Sequence, residues 1–421
     1  MKTMGNLIID HATVVTPCGH SARKGVAMAD LTTIKDGCVI VRDGMIEYVG
    51  PSVDAQEQKS EARSHGFTYM DAGGCALLPG FVDSHTHLIF GGFRPDEFEW
   101  RLKGDTYMSI MERGGGIQST VNATRATSED ELVNRAQWFL DRMSAMGVTT
   151  VEAKSGYGLN TETEEKMLRA IRRLSDKEGQ PIRIVSTFLG AHAVPKEYAG
   201  RTDEYVDLII NEMLPRFKGM TDCCDIFCEK NVFEIEESRR LLKAAKEMGY
   251  KLKLHADEIV QLGGAELAAE LGALSADHLL HVSDAGVEAM AKAGVVATLL
   301  PLTAFTLKEP YAPARKFIDA GGAVALATDL NPGSCFSGSI PLSIALACIY
   351  MNMSIEETIT ALTLNGAAAI GKAGEIGSIE KGKRGDFVML NTDNINILPY
   401  YVGMNCVKTT IFGGRVVCEN P

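Results

Sequence analysis

Through the middle of the chain, short apolar runs alternate with amphipathic stretches in which charged residues recur at helical spacing. Eight of these runs have the length and composition of buried strands: 81–88, 148–153, 182–188, 224–229, 251–256, 273–278, 295–300 and 323–328. The intervening predicted helices include SEDELVNRAQWFLDRMSAMG, TETEEKMLRAIRRLSDKEG and EIEESRRLLKAAKEMG. Eight strand-helix units predict an α/β fold, a (β/α)8 TIM-type barrel with its active site at the C-terminal strand ends. A doubly wound open sheet is the rival, but no GxGxxG follows the first run.

Both ends of the chain follow a different pattern, in which short β-branched runs are separated by turn residues. Asp43-Gly44 stands between two such runs and predicts a hairpin turn. The same style returns near the C-terminus in GDFVMLN, CVKTTIFGG and RVVCEN. We therefore expect residues 1–77 and 366–421 to form one small β-sandwich domain, with the barrel of residues 78–365 inserted between them.

The first barrel run, GFVDSHTHLIFGG, carries an acid and two imidazoles within an apolar stretch. Because strand side chains alternate, Asp83, His85 and His87 point to the same side. Burying them without partners is costly, whereas a divalent metal bound by the imidazoles offsets much of that cost. The pattern indicates that His85 and His87 face a metal, and that Asp83 braces one of the two rings from behind. The alternative is a pair of hydrogen-bonded core histidines.

Other polar residues follow later strands, at the end where a barrel places its active site. They are His192 after the third run, His255 in the fifth, His278 in the sixth and Asp329 after the eighth. The predicted metal ligands are His85, His87, His255 and Asp329, since three imidazoles and a carboxylate suit a borderline divalent ion. Such an ion lowers the pKa of bound water towards neutrality, so the predicted chemistry is hydrolysis.

Hydrolysis also needs catalytic groups that move protons, and Glu258 and His278 are the candidates. Glu258 lies three residues beyond His255 in HADE, where a turn after the strand brings its carboxylate over the metal site. His278 serves as a base or an electrophile, with a spare metal ligand as the alternative. His281, three residues further on, is assigned to a helix surface and given no role.

Charge and composition narrow the range of partners. A net charge of −12 and a pI near 5.3, with no concentrated basic block, disfavour nucleic acid. No apolar run reaches membrane-spanning length, and no leader pattern opens the sequence, so no membrane partner is expected. Ten cysteines are too sparse for a disulfide scaffold and predict thiols in a reducing, cytoplasmic compartment. Even the cluster Cys223, Cys224 and Cys228 is expected to be structural.

These features together resemble the amidohydrolase superfamily: LPGFVDSHTH, histidines after strands five and six, an aspartate after strand eight, and GEIGSIEKGKRGDFVMLN in the terminal β domain. Many members hold two metals bridged by a carboxylated lysine after the fourth strand. Cys228 and Glu229 occupy that position here, so a single divalent metal, zinc or iron, is expected. Lys230, one position later, keeps a second metal open as an alternative.

Within that superfamily the chain is most similar to the imidazolonepropionase family. The segments that carry this likeness are HTHLIFGGFRPDEFEWRLKGDTYMSIMERGGGIQSTVNATR, EAKSGYGL, LGAHAVPKEY, LHADE, SADHL, YAPAR and LATDLNPGSC. The resemblance implies a small-molecule substrate, 4-imidazolone-5-propanoate, a homodimer, and opening of the ring to N-formimidoyl-L-glutamate in histidine degradation. It also implies a set of substrate-binding residues, Arg94, Tyr107, Tyr157, His192, Asn331, Gly333 and Ser334. Among these, Arg94 suits the propionate because a guanidinium binds a carboxylate with two parallel hydrogen bonds.

Two other functions stay open at this point. A metal-dependent deaminase of a nucleobase or related heterocycle uses the same ligand pattern but has less need of Arg94. A metal-binding scaffold without turnover does not need Glu258 and His278. The segment ERGGGIQST, with Gly114 to Gly116, lies well beyond the first strand and lacks a following GK[ST], so a lid or a closely packed segment is preferred to a phosphate loop.

Overall fold

The computed structural model describes residues 4–105, 113 and 115–421, and Tyr107 and Gly114 lie outside this set. Its strands are β1 Leu7–Thr16, β2 Thr32–Arg42, β3 Met45–Pro51, β4 Thr68–Asp71, β5 Ala76–Pro79, β6 Phe81–Asp83, β7 Val148–Lys154, β8 Arg183–Ala191, β9 Cys223–Cys228, β10 Lys251–Ala256, β11 Ser275–His278, β12 Val296–Leu299, β13 Ala323–Leu326, β14 Phe387–Leu390, β15 Val407–Phe412 and β16 Arg415–Glu419. Its helices are α1 Gln56–Ser64, α2 Pro95–Leu102, α3 Ile117–Ala126, α4 Glu129–Ala145, α5 Thr161–Asp176, α6 Thr202–Leu208, α7 Leu214–Phe217, α8 Ile235–Glu247, α9 Gly264–Leu271, α10 Asp284–Ala293, α11 Pro301–Leu307, α12 Ala314–Asp319, α13 Ile340–Tyr350, α14 Ile355–Leu362, α15 Leu364–Ala369 and α16 Ile397–Tyr400. A π-helical turn, Ile209–Met213, joins α6 to α7.

The central part of the chain forms the predicted barrel. Strands β6 to β13 are parallel and pair in chain order. The first and last strands meet beyond their regular ends, where Asp329 N donates to His85 O at 3.0 Å and His87 N donates to Leu330 O at 2.9 Å. These bonds close the sheet, so all eight C-terminal strand ends face one mouth.

The first barrel strand is shorter than the apolar run that predicted it. Regular pairing ends at Asp83, although an isolated bridge joins Thr86 to Leu330. The reason lies in Asp83, whose carboxylate accepts hydrogen bonds from Thr328 N at 3.0 Å and from the Thr328 hydroxyl at 2.6 Å. A side chain thus replaces backbone pairing between the two strands. This contact also corrects the expected role of Asp83, which binds the opposite strand rather than an imidazole.

The three barrel helices predicted from the sequence are present as α4, α5 and α8. Ser128 caps α4 by accepting from Glu131 N, and the Glu131 carboxylate returns to Ser128 N in a capping box. Asn160 caps α5 through its side chain. Helix α8 ends just before Gly249, which adopts a positive φ of 90°. Among the described residues, no helix combines the length and apolar character that crossing a membrane requires.

The strands from the two ends of the chain form one mixed sheet in the order β16-β15-β14-β5-β1-β2-β3, with β4 pairing to β1. Asp43 and Gly44 make the predicted hairpin turn, with φ values of 50° and 77°, between the paired residues Arg42 and Met45. The sheet contacts the barrel through β15, which packs on α4 and β7. The predicted domain limits, 1–77 with 366–421 and 78–365, stay a prediction, and helix α15 crosses residue 366 while packing on β6, β12 and β13.

Candidate metal centre and active site

The four predicted metal ligands converge at the barrel mouth, although they come from three strands. Asp329 Oδ1 lies 3.5 Å from His85 Nε2 and 3.6 Å from His87 Nε2. His255 Nε2 lies 3.3 Å from His87 Nε2. All four residues are at most 2% exposed. Three imidazoles and one carboxylate therefore aim their polar atoms at one small volume that water barely reaches.

Two of the converging polar atoms lack a hydrogen-bond partner, and a bound cation would provide the missing interaction. His85 Nε2 and Asp329 Oδ1 are buried and have no hydrogen-bond partner among the described residues. Burial, and next the charge of Lys154, hold the pKa of His85 well below its usual range, so its ring is neutral as metal binding requires. Leaving such atoms unpaired costs free energy that a bound divalent ion offsets. The donor set fits a divalent metal.

His278 lies at the edge of the same cluster. Its ligand atom and those of His85 and His255 all lie within 4.8 Å of one another, as do those of His85, His87 and Asp329. His278 and Asp329 also adopt positive φ values of 75° and 53°, which are strained for residues with a side chain. Both residues stand at strand ends, and each contributes a ligand atom to one of these groups. His278 therefore keeps both predicted possibilities, proton transfer and an additional ligand.

Three residues absent from the sequence prediction orient the proposed ligands from behind. Asp277 Oδ2 lies 2.6 Å from His85 Nδ1, and Asp225 Oδ2 lies 3.1 Å from His255 Nδ1. The Thr303 hydroxyl donates to Asp329 Oδ2 at 2.6 Å, which leaves Oδ1 facing the histidines. Asp277 and Asp225 orient the histidine rings, the role that was expected of Asp83. The signal that points to them is an acid within an otherwise apolar strand, in SADH and CCDIFC.

The two orienting aspartates are charged in spite of their burial. Burial raises the pKa of Asp225, but Lys154 and then His255 outweigh it and hold that pKa well below its usual range. Burial likewise raises the pKa of Asp277, and Lys253 and Lys154 outweigh it and lower that pKa. Ionised carboxylates are strong acceptors for imidazole N–H groups, so both rings present Nε2 to the site.

Glu258 and His278, the candidate proton-transfer groups, are neighbours, with Glu258 Oε2 lying 3.4 Å from His278 Nε2. Burial, and next the charge of Asp329, raise the pKa of Glu258 to about 8. Burial, and next His255, hold the pKa of His278 well below its usual range. Near neutral pH the pair thus combines a protonated carboxyl with a neutral imidazole, which suits proton exchange with a substrate.

The loop that carries Glu258 is anchored by Glu229, at the end of the fourth barrel strand. Glu229 Oε2 accepts from Ile259 N at 2.8 Å and from Val260 N at 3.4 Å, while its Oε1 accepts from Lys230 N at 2.8 Å. Lys230 itself is exposed, in contrast to the buried cluster of histidines. These contacts favour the single-metal alternative over a site bridged by Lys230.

Tyr157 and His192, the predicted ring-binding residues, lie directly beside the cluster. The His192 ring stacks on His87 with centroids 4.8 Å apart and 17° between the planes. Tyr157 lies 5.1 Å from His192 and 5.7 Å from His87, centroid to centroid. His192 Nδ1 lies 3.0 Å from Gly156 O, so its orientation is fixed by the second barrel loop. Two aromatic rings thus flank the proposed metal position.

Arg94 reaches the loop after the eighth barrel strand and lies against Gly333. A Cβ at Gly333 would lie only 1.8 Å from Arg94 Nη2, so this position accommodates the guanidinium because it is glycine. Arg94 Nη1 lies 3.2 Å from Glu97 Oε2, while Arg94 Nε is buried and has no partner among the described residues. Arg101 Nη2 donates to Gly333 O at 2.8 Å from the same side. A cation with spare donor capacity therefore faces this loop.

Asn331 organises the loop itself. Its Oδ1 accepts from Gly333 N at 2.8 Å and from Ser334 N at 2.7 Å. Its Nδ2 donates to Asp329 O at 2.8 Å and to Ser334 Oγ at 3.0 Å. The polar atoms of Asn331 are thus engaged within the loop, and its contact with substrate stays a prediction. Tyr107 was predicted in the same pocket and lies outside the described residues.

The glycine-rich segment after α2 is described only in part. Gly115 and Gly116 are buried, and Gly116 N donates to Glu97 Oε1 at 3.0 Å. Glu97 therefore contacts both Arg94 and the start of α3. Gly115 and Gly116 are therefore closely packed beside the proposed substrate site.

Comparison with known proteins places these features in context. The model of the amidohydrolase family matches residues 76–417. An imidazolonepropionase of Bacteroides thetaiotaomicron is 67% identical over 417 residues, with 99% of each chain covered. An imidazolonepropionase of Phocaeicola vulgatus is 63% identical with the same coverage of both chains. Among solved structures, a zinc-bound adenosine deaminase from Xanthomonas campestris superimposes with a TM-score of 0.70 over 99% of this chain and 93% of its own, at 19% identity, which shows the shared fold alone.

Proposed function

The chain belongs to the amidohydrolase family, and we propose that it opens 4-imidazolone-5-propanoate by hydrolysing a ring carbon-nitrogen bond to give N-formimidoyl-L-glutamate. It is a hydrolase that acts on a cyclic amide, a reaction of histidine degradation. One observation of the site carries the proposal: the half-buried Arg94 faces the loop that follows Asp329, and its buried Nε has no hydrogen-bond partner among the described residues. A substrate with a flat ring and a carboxylate tail needs a cation for the tail beside the site that holds the ring.

The enzyme uses a divalent metal, and we place it on His85, His87, His255 and Asp329. One ion per chain, zinc or iron, is the proposed complement, because this donor set suits both. When bound, such an ion supplies a Lewis acid and activates water at neutral pH. Lys230 is exposed and takes no part in this proposal.

Proton transfer is assigned to Glu258 and His278. The Glu258–His278 pair takes up the proton that the attacking water releases. Glu258, in the protonated form that its raised pKa favours, gives a proton to the ring nitrogen as the carbon-nitrogen bond breaks. His278 lies 3.4 Å from that carboxyl and hydrogen-bonds the carbonyl oxygen as negative charge develops on it. Asp329 is the alternative donor to the leaving nitrogen.

Substrate orientation is assigned to residues above this pair. Arg94 binds the propionate, Tyr157 and His192 flank the ring, and Ser334 with the backbone at Gly333 completes the tail site. Water is held out of the pocket by Tyr157, which is only 3% exposed. Fixing both ends of the substrate sets the ring carbonyl over the metal position.

Replacing Arg94 with methionine is expected to raise KM by about 100-fold, because losing a charged partner for a carboxylate costs about 3 kcal/mol. The turnover number should change much less, since Arg94 does not contact the reacting atoms. Steady-state kinetics measure both quantities. Arg135→Met is the matched control, because Arg135 donates to Phe90 O and lies over the Phe93 ring on the same loop. An unchanged KM in Arg94→Met would remove Arg94 from the tail site.

Metal affinity is expected to fall at acid pH, since a cation displaces protons from its ligands. Burial raises the pKa of Asp329 to about 6. Burial lowers the pKa of His255, but Asp225 outweighs it and raises that pKa. Above both pKa values the affinity is constant. As pH falls, His255 gains a proton first because its pKa is raised, and Asp329 follows at about 6, below which log Kd rises by up to about two per pH unit. Chelator competition across this range measures the slope, and a flat profile would contradict the ligand assignment.

The function itself is tested by supplying freshly made 4-imidazolone-5-propanoate and following loss of the ring's ultraviolet absorbance and release of ammonia. Loss of absorbance without ammonia supports ring hydrolysis. Ammonia from guanine or cytosine, with no effect on the imidazolone, would favour a deaminase instead. A homodimer and a cytoplasmic location, both predicted from the sequence, complete the proposal, and light scattering on the purified chain gives its mass in solution.

A further inference from the structure

Beneath the proposed metal position, five charged side chains are enclosed in the barrel interior. Glu152, Lys154, Asp225, Lys253 and Asp277 are each 0% exposed. Burying charge is costly unless every group is paired. Three carboxylates face two ammonium groups, and the proton-transfer steps use none of the five.

Lys154 is the group that connects these charges to the site. Its Nζ lies 2.7 Å from Asp225 Oδ2, 2.9 Å from Glu152 Oε2 and 3.7 Å from Asp277 Oδ2. The same Asp225 oxygen faces His255 Nδ1 at 3.1 Å, and the same Asp277 oxygen faces His85 Nδ1 at 2.6 Å. A single ammonium group therefore contacts both of the oxygen atoms that orient two proposed ligands.

We propose that Lys154 is a positioning residue for the metal centre, which holds Asp225 and Asp277 so that His255 and His85 direct Nε2 into the site. The inference rests on the proposed metal site. With the ammonium in place, Asp277 accepts from the Nδ1–H of His85 and Asp225 Oδ2 faces Nδ1 of His255 at 3.1 Å, so each ring keeps its Nε2 lone pair for the cation. Without it, three buried carboxylates share one ammonium, and the two rings lose charged, fixed acceptors.

Lys253 provides a matched control within the same cluster. Its Nζ donates to Ser275 Oγ at 2.7 Å and lies 3.3 Å from Asp277 Oδ2 and 3.8 Å from Glu152 Oε1. Among its contacts in the described part of the chain, Asp225 does not appear. Replacing Lys253 removes the same charge from the same interior but leaves the link between Lys154, Asp225 and His255 intact.

The test compares Lys154→Met and Lys253→Met in the full chain, with Zn²⁺ affinity measured by chelator competition and the ligand field read from the visible spectrum of the Co²⁺ form. Lys154→Met is expected to bind Zn²⁺ about 10- to 100-fold more weakly and to change the Co²⁺ spectrum. Lys253→Met should lose clearly less affinity, whereas a structural role alone would weaken both variants alike. The low-field Nδ1–H proton signal of His255 should move only in Lys154→Met, whereas that of His85 should move in both variants because both lysines contact Asp277.

If Lys154→Met folds poorly, a second comparison with a double variant still tests the inference. Asp225→Asn combined with Lys154→Met removes one charge of each sign, so the interior keeps its balance. If Lys154 acts through Asp225, the double variant binds Zn²⁺ about as tightly as Asp225→Asn alone, and additive losses would overturn the inference. Wild-type affinity in folded Lys154→Met, or an equal loss in Lys253→Met, would also overturn it. Failure of the wild type to bind Zn²⁺ would instead refute the proposed metal site.

Discussion

The His255→Ala protein is expected to lose bound metal and ring-opening activity together. His255 supplies one of the three imidazoles at the site, with Nε2 lying 3.3 Å from His87 Nε2. Alanine leaves a two-histidine, one-carboxylate set and strands the buried Asp225 without its imidazole partner. We expect metal per chain to fall to a small fraction of one and turnover to fall by at least about 10⁴-fold, since the activated water disappears with the ion.

Metal analysis by mass spectrometry and a turnover assay on the same sample measure this result. His281→Ala is the matched control: it is a histidine just beyond His278, and its backbone N–H donates to Asp257 O. That variant should keep both metal and activity. Full activity in a His255→Ala protein stripped of metal would refute the ligand assignment.

Glu258→Gln is expected to lower kcat by about 10²- to 10⁴-fold, the range that general acid-base groups contribute. Glutamine has nearly the same shape as the protonated carboxyl that the raised pKa of Glu258 favours, but it cannot release a proton to the leaving nitrogen. Metal content should stay at the wild-type level because Glu258 is not among the proposed ligands. KM should change little, since glutamine keeps the shape of the protonated carboxyl.

The control for this variant is Glu266→Gln, a nearby glutamate whose carboxylate accepts from Ser283 on a barrel helix. Its kcat should match the wild type. A Glu258→Gln enzyme that keeps most of its kcat would transfer the proton-donor role to Asp329. Loss of metal from that variant would show that Glu258 supports the centre rather than the chemistry.

The eight barrel strands could be predicted because each is an apolar run bounded by turn residues, and such a local pattern is enough to indicate a buried strand. The largest length difference, in the first barrel strand, also has a local cause, the Asp83 carboxylate that replaces backbone pairing with Thr328. Alternation along a strand says which side a residue faces. It does not say whether that residue pairs with a ligand ring or with the neighbouring strand.

The proposed ligands could be predicted because polar residues at C-terminal strand ends share one barrel mouth. Their supports could not, since Asp277 comes from the sixth barrel strand and holds a ring from the first. Thr303 likewise comes from a helix after the seventh strand and holds Asp329 from the eighth. Such pairings depend on how the closed barrel sets strands against one another, and no spacing within the sequence encodes that distance.

Asn331 shows the same limit on the substrate side. Its type and position after Asp329 predict a polar contact with the substrate, but the structure engages both ends of its amide within the loop. By contrast, Arg94 on the first barrel loop lies against Gly333 on the eighth. The family resemblance implies that these two residues share one site, but the residues alone do not.

The most direct test of the central claim runs the reaction in water enriched in the heavy oxygen isotope, with metal-loaded enzyme and a chelated control. Hydrolysis of the ring amide predicts N-formimidoyl-L-glutamate with one heavy oxygen in its α-carboxylate, formed only by the metal-loaded enzyme. A product that carries no heavy oxygen in that carboxylate, or equal conversion after chelation, would contradict metal-dependent ring hydrolysis.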